Sequence, residues 1–387
     1  MATTAEAVGS DAAGSINIDP YLDNLAARGP EARAQRNMAV DSIGEMKKSG
    51  FMRAFVPSKF GGLEVTPQEF FRAQIKVAEV DMSTGWIAGV VAVHAFQIAL
   101  MDEQAQRDIY GEDPDTLVSS SYNPVGGKTE VVEDGVMLSG RWGWSSGSDH
   151  CSWVLLGAII PDEGYRTFLV PRADYEIEDT WFAMGLEGTG SNDIVIDEPV
   201  FVPHYRTHKQ MDGFHCVNEQ ENSMYSLPWA QSFIRVVSSP AIGAVRHGLR
   251  LFVENASTSS TDPTKLLGDP DVLRRVAKVQ DLVDSVEAIL YRNFDVMMEH
   301  VLAGREIPMI DRVRYRYQAA TVIDTMKGAI DMLFDAAGGR SVFVGSEIQN
   351  IWRDIHIARA HVANNPVPFA RNWGNMTLGG ENQDVFI

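Results

Sequence analysis

Three stretches of this chain concentrate side chains that bulk packing does not require. The first joins Ser119-Ser120-Ser121-Tyr122-Asn123-Pro124 to Trp142-Gly143-Trp144-Ser145-Ser146-Gly147. Hydroxyls and indoles at that density suit a planar ring with polar edges, because an indole face stacks and a hydroxyl bonds a ring nitrogen or carbonyl. The same residues would also serve as an ordinary solvent-facing β-surface with one aromatic pair. The second is His94, alone in an otherwise apolar run. With its hydrogen bonds met it is a core residue; otherwise it is a base or partner for a phenol-like group in a dry pocket. The third is Trp352-Arg353-Asp354-Ile355-His356-Ile357-Ala358-Arg359-Ala360-His361, downstream of Gly338-Gly339. It reads either as a salt-bridged helix or as a segment that closes a site.

Other chemistries lack their residues. Gly126-Gly127-Lys128-Thr129 is half a phosphate loop, but Tyr122 stands where the first glycine belongs. Gly185, Gly188 and Gly190 have the wrong spacing for a dinucleotide fingerprint, so no nicotinamide domain is expected. No HExxH or GxSxG occurs; His204 and His208 are four apart in an apparent loop, and no metal site is expected. Cys151 and Cys216 read as reduced thiols. A net charge of −19 with no basic stripe argues against nucleic acid.

The elements that must position these residues change character twice along the 387 residues, a length that implies more than one domain. Residues 1–15 read as a disordered tail without a basic, apolar leader, which points to the cytoplasm. Residues 16–115 read as an N-terminal helical domain. Helix is expected across Glu31 to Lys48 with Gly50 as its cap, from Thr66-Pro67 onward, and from Thr84 to Leu100. The last is apolar all round, hence buried, and too interrupted to span a membrane. Residues 116–210 hold short β-rich runs and read as a central β-barrel or sandwich. Residues 211–387 return to helix: Val272, Val276, Val279, Val283, Val286 and Leu290 form one apolar stripe, as do Val313, Tyr317, Ala320, Ile330 and Phe334, predicting an antiparallel bundle.

Taken together, SSSYNPVGG, LSGRWGWSSGSDHCSW, GLEGTGSN, VFVPHYR, MYSLPW and IWRDIHIARAHVANNP resemble the oxygenase components of two-component flavin-dependent aromatic monooxygenases. The nearest branch hydroxylates a phenolic seco-steroid in bacterial cholesterol degradation; 4-hydroxyphenylacetate hydroxylases are more distant. The resemblance covers nearly the whole chain. It implies an α+β, acyl-CoA dehydrogenase-like fold with an N-terminal helical domain, a central β-barrel and a C-terminal four-helix bundle. Implied with it are reduced flavin (FMNH2 or FADH2) from a separate NAD(P)H-dependent reductase, O2, no metal, no membrane, and a homo-oligomer, commonly a tetramer. The expected reaction is hydroxylation of a phenolic or indole-like aromatic, in aromatic catabolism, through a C4a-hydroperoxyflavin.

By the same matching, His94 takes the phenol proton, Ser146 bonds flavin N5, and His361, better than His356, lies by the oxygen adduct. Ser120 or Ser121 binds the phenol oxygen, while Trp86 and Phe96 contact the ring. Tyr122, Asn123, Trp144 and Ser146, with Ser145 as the fallback, hold the flavin. Gly338 and Gly339 approach a flavin, commonly a neighbouring subunit's. Two departures separate the chain from dehydrogenases of this fold. Ala360 to Asn364 carries no glutamate, and Asn255 to Thr261 lacks the arginine that holds an FAD diphosphate. An acyl-CoA dehydrogenase with its base elsewhere (Glu254, for example), an N-hydroxylase of the same fold and a non-enzymatic flavin-binding protein are the alternatives.

Overall fold

The computed structural model describes residues 14–209, 215–258 and 268–387, the side chains of 257 and 258 excepted. Most of the expected tail, and the end of the Asn255–Thr261 stretch, lie outside these residues.

The expected helix at Glu31–Lys48 is two helices, α1 (Leu22–Gln35) and α2 (Val40–Lys48). Arg36 breaks it. It adopts a left-handed conformation (φ 56°) and its N–H closes α1 onto Ala32 and Arg33. Its guanidinium meanwhile reaches Asp179 at 2.6 Å. α3 (Pro67–Val80) starts where Thr66 accepts the Glu69 N–H. α4 (Met82–Leu100) is capped by Asp81, which accepts the N–H of Thr84 at 2.7 Å, and every residue of α4 is buried. Among the described residues it is the one helix long and apolar enough to cross a membrane, and it is wholly enclosed by protein. Gly89 lets α3 approach closely, since a Cβ there would lie 1.8 Å from the Gln74 amide. That amide bonds the carbonyls of Gly85 and Val236, tying α3, α4 and the C-terminal helices at one buried point.

After α5 (Glu103–Tyr110) come, among the described residues, eight strands: β1 (Val118–Ser121), β2 (Gly127–Val132), β3 (Gly135–Ser145), β4 (Trp153–Ile160), β5 (Gly164–Pro171), β6 (Glu176–Glu178), β7 (Asn192–Pro203) and β8 (Thr207–Lys209). They form two four-stranded sheets, in orders β1-β4-β5-β8 and β2-β3-β7-β6. The sheets share one core that includes Val136, Leu138, Trp142, Leu156, Phe168 and Ile194. Among the described residues no ladder joins them, so this region is a pair of packed sheets, the sandwich of the two arrangements its short strands allowed, and not the continuous barrel that the resemblance implied.

The C-terminal helices are α6 (Trp229–Val236), α7 (Pro240–Thr258), α8 (Pro270–Leu302), α9 (Met309–Ala336), α10 (Glu347–Ala358) and α11 (Pro366–Thr377). The two stripes emerge as α8 and α9, with Val279, Val283, Val286 and Leu290 buried on one and Val313, Ala320 and Ile330 on the other.

Candidate active site

Trp86, Val90 and His94 recur every fourth residue along one face of α4, so Trp86 and His94 stand two turns, about 12 Å, apart along the helix. That face lines a cavity of about 570 Å³, bounded also by β1, the Trp144 bulge, α6, Arg316 of α9 and the segment after α10. The size is that of a small-molecule site.

At one end, His94 Nδ1 lies 2.7 Å from the Val118 carbonyl. A carbonyl only accepts, so Nδ1 carries the ring proton and the Nε2 lone pair is free. Nε2 is buried with no hydrogen-bond partner. Burial pushes the imidazole down to about 4, which keeps it neutral. Around it stand Tyr122 and Phe233, with ring centroids at 5.9 and 6.2 Å, and both Ser120 and Ser121 reach the lining. The Ser121 hydroxyl donates to the Gly143 carbonyl at 2.7 Å. Desolvation, with a smaller contribution from Tyr165, holds the Tyr122 phenol well above its usual range.

At the other end, Trp86 Nε1–H donates to Ser146 Oγ at 3.2 Å, and its ring meets His361 edge-on at 5.9 Å. His361 Nδ1 accepts the Ala363 N–H at 3.1 Å. The neutral ring therefore carries its proton on Nε2, the opposite tautomer to His94. Burial, and secondarily the Arg316 guanidinium, push His361 down to about 4. Arg316 is buried, donates to the Ala363 carbonyl at 3.0 Å and lies 3.4 Å over the Phe369 ring. One cavity thus holds a proton acceptor at His94 and an N–H donor at His361.

Trp144 owes its exposure to a β-bulge. Between Trp142 and Ser145, β3 advances three residues while β7 advances two, from Ile194 to Asn192. Trp142 stays in the β core and donates to the Gly157 carbonyl at 2.8 Å. Trp144, at φ 65°, turns outward and is 71% exposed. A bulky residue in that region carries strain that packing elsewhere must hold.

His94, Trp86, Ser120, Ser121, Tyr122, Asn123, Trp144, Ser146 and His361 all reach the cavity. Phe96 does not: it lies in the core against Phe55 and Tyr225, at 5.7 and 5.5 Å. It follows His94 by two residues, about 200° around the helix, so it faces away. Ser145 is buried off the lining, which leaves Ser146 as the hydroxyl at this edge. Tyr122 belongs to the aromatic wall, with its hydroxyl donating to Gln97 at 2.7 Å, so that side chain is not free for a flavin edge. Gly338 and Gly339 are exposed beyond α9, away from the cavity. His356 stacks on Trp352 and bonds its carbonyl, off the lining. Glu254 is exposed, and among the described residues Asp384 is the one carboxylate on the lining. His208, expected in a solvated loop, is buried in β8 and bonds the His215 carbonyl. Sequence reasoning missed Arg316, Phe233, Asp384 and Phe386. Only Phe233 had a signal nearby, four residues after the MYSLPW segment.

Three poorly hydrated histidines, His94 and His208 buried and His361 partly so, make stability fall in acid. His94, His208 and His361 each sit at about 4, below the ordinary 6.5. Their contribution is fully present above pH 6.5 and is lost as pH falls toward 4. Asp354, pushed up to about 7 by burial, acts in the opposite sense. Unfolding near pH 5.5 should therefore take up roughly two protons net. Urea midpoints measured between pH 7 and pH 5 should decline; a flat or rising series contradicts this.

A helical N-terminal region, two packed sheets and a C-terminal helical region with a cavity among them define an acyl-CoA dehydrogenase-like fold. Residues 235–366 match the family model described as acyl-CoA dehydrogenase, C-terminal domain. The chain is 34% identical over 381 residues to the flavin-dependent monooxygenase oxygenase subunit HsaA of Mycobacterium tuberculosis, covering 96% of each. The crystal structure of 3-HSA hydroxylase from Rhodococcus sp. RHA1 superposes with a TM-score of 0.91 at 31% identity, covering 96% of this chain and 98% of that one. The oxygenase component of p-hydroxyphenylacetate 3-hydroxylase from Acinetobacter baumannii is 30% identical, over 96% of this chain and 90% of its own. The chain belongs to the family of flavin-dependent monooxygenase oxygenase subunits.

Proposed function

We propose that this enzyme hydroxylates a phenolic aromatic next to its hydroxyl group, using reduced flavin delivered by a separate NAD(P)H-dependent reductase, and O2. The observation that carries the reading is the pair of neutral histidines with opposite tautomers on one cavity. The residues present suit a flavin: a strained, exposed indole at Trp144, an acceptor oxygen at Ser146 and an unpartnered base at His94. Trp144 and Ser146 would hold the isoalloxazine of FMN or FAD; the Asn123 side chain, which accepts its own loop's Val125 N–H, would order the loop beside it. When bound, reduced flavin would supply the two electrons that activate O2, the source of the transferred oxygen atom.

The chain's own work is proton control and exclusion of water. His94 Nε2 accepts the phenol proton, which enriches the ortho carbon in electrons, and Ser120 orients the phenol oxygen, the Ser121 proton being given to the Gly143 carbonyl. His361 Nε2–H donates toward the oxygen being transferred. The apolar face of α4, with Phe233 and Tyr122, keeps that transfer dry. No metal enters this scheme. We also read the chain as three domains (16–115, 116–210 and 211–387), the last a four-helix bundle, in a cytoplasmic homotetramer. Exposed Phe343 and Val344, close to Gly338 and Gly339, support an assembled form in which the glycine pair meets a neighbour's flavin.

The test is rapid mixing of protein and chemically reduced flavin with oxygenated buffer, with and without a trial phenol, followed by product analysis. A catechol formed in place of hydrogen peroxide is expected; peroxide alone with every arene overturns the reading. In the same system Trp144→Ala should weaken reduced-flavin binding about two- to tenfold, the scale of one lost aromatic stack. An unchanged dissociation constant would remove Trp144 from the cofactor site.

A further inference from the structure

We propose that Thr189 and Ser191, neither of which lines the cavity, fix the direction of the Ser146 hydroxyl and so make the site favour reduced over oxidised flavin. The proposal rests on the reading that Ser146 meets flavin N5.

Three hydroxyls form a chain whose polarity has one solution. Thr189 Oγ1 lies 2.8 Å from the Leu186 carbonyl, which has no proton to give, so Thr189 donates there. Ser191 Oγ lies 2.7 Å from Thr189 Oγ1, whose proton is spent, so Ser191 donates to Thr189. Ser146 Oγ lies 2.8 Å from Ser191 Oγ, whose proton is spent in turn, so Ser146 donates to Ser191. One Ser146 lone pair takes the Trp86 N–H. What remains toward the cavity is a second lone pair and no proton.

The chain is held in place from outside the cavity. Thr189 and Ser191 are buried, in the turn that leads into β7. Leu186, at φ 50°, gives its N–H to Asp354 Oδ1 of α10 at 2.6 Å. Its carbonyl, the end point of the chain, also takes the Trp181 indole N–H.

The consequence follows from flavin chemistry. N5 of reduced flavin bears a proton and donates to the Ser146 lone pair; N5 of oxidised flavin bears only a lone pair, and two lone pairs repel. Thr189 and Ser191 are thus positioning residues that act through Ser146. Ser191→Ala leaves the Ser146 proton without its acceptor, free to turn toward N5. Thr189→Val has the same effect one step further away, because Ser191 can then donate to Ser146. Thr189→Ser keeps the chain intact.

The experiment is anaerobic titration of the full chain with FMN and with FAD, each oxidised and reduced, read as the ratio of the two dissociation constants. Thr189→Val and Ser191→Ala should each lower the preference for reduced flavin roughly three- to tenfold, the worth of one hydrogen bond. The change should come mainly from tighter binding of the oxidised form, and Thr189→Ser should keep the native ratio. Should Thr189→Val not fold, Ser191→Ala reads the same quantity. An unchanged ratio in both, beside a shifted ratio in Ser146→Ala, overturns the hydroxyl chain while leaving the flavin site standing. Affinities unaltered in Ser146→Ala overturn the flavin reading at this residue, and the proposal with it.

Discussion

Replacing His94 with alanine is expected to lower aromatic hydroxylation by about 10²–10⁴-fold, the usual contribution of a positioned general base, while reduced flavin still binds and oxygen is still consumed, now as hydrogen peroxide. The basis is the free Nε2, buried and unpartnered, on a ring whose other nitrogen is committed to the Val118 carbonyl. The variant also orphans that carbonyl and opens a void in α4, so a second variant is needed. His94→Asn can still donate to Val118 but carries no base, which separates chemistry from folding. Because burial holds His94 at about 4, the base form prevails above that pH. Hydroxylation should then be level from about pH 6 to 8, with no ionisation near the ordinary histidine value. A folded His94→Asn enzyme with full hydroxylation returns His94 to the core as a packing residue. A rate that falls through pH 6.5 contradicts its burial.

Trp142→Ala is expected to destabilise the protein by about 3–5 kcal/mol, the range for deleting a fully buried tryptophan. The indole is 1% exposed, between the two sheets, and its N–H satisfies the Gly157 carbonyl. Deletion leaves both a cavity and an unpaired acceptor. The loss also reaches the site, because Trp142 anchors the strand on which Trp144 is thrown outward. Urea denaturation followed by circular dichroism reads the stability, and flavin titration of the surviving fold reads the second effect. Trp142→Phe should recover most of the stability. A loss in Trp142→Ala below about 1 kcal/mol would mean that the sheets close over the gap.

The elements were legible wherever one residue pattern had a single structural use. The all-apolar Thr84–Leu100 run could only be an enclosed helix, and the valine stripe of α8 could only be one packed face. That very uniformity hid the rotation of α4: with no polar side, nothing in the sequence says that His94 faces a cavity and Phe96 the core. The stretches that hold His94, Ser146 and His361 stood out by residue type, their roles came from family likeness, and the structure brings all three to one cavity. Arg316 was hidden inside a long, otherwise ordinary helix. Asp384 and Phe386 lie in a segment without periodicity, where only the folded chain brings them to α9 and α6. The Arg36 break was invisible because arginine is a good helix former; its tertiary partner, Asp179, lies far away in sequence.

Because α4 is at once the keel of the fold and a wall of the reaction chamber, adaptation there is constrained. Any exchange at Trp86, Val90 or His94 is also a change to the most enclosed part of the molecule. The opposite wall is built differently: Val362 is mostly exposed, and Phe369 and Phe386 are only partly covered. Lineages that acquire new substrates have freer room to vary on that side, where a mutation alters the shape of the chamber without touching the timber that holds it up.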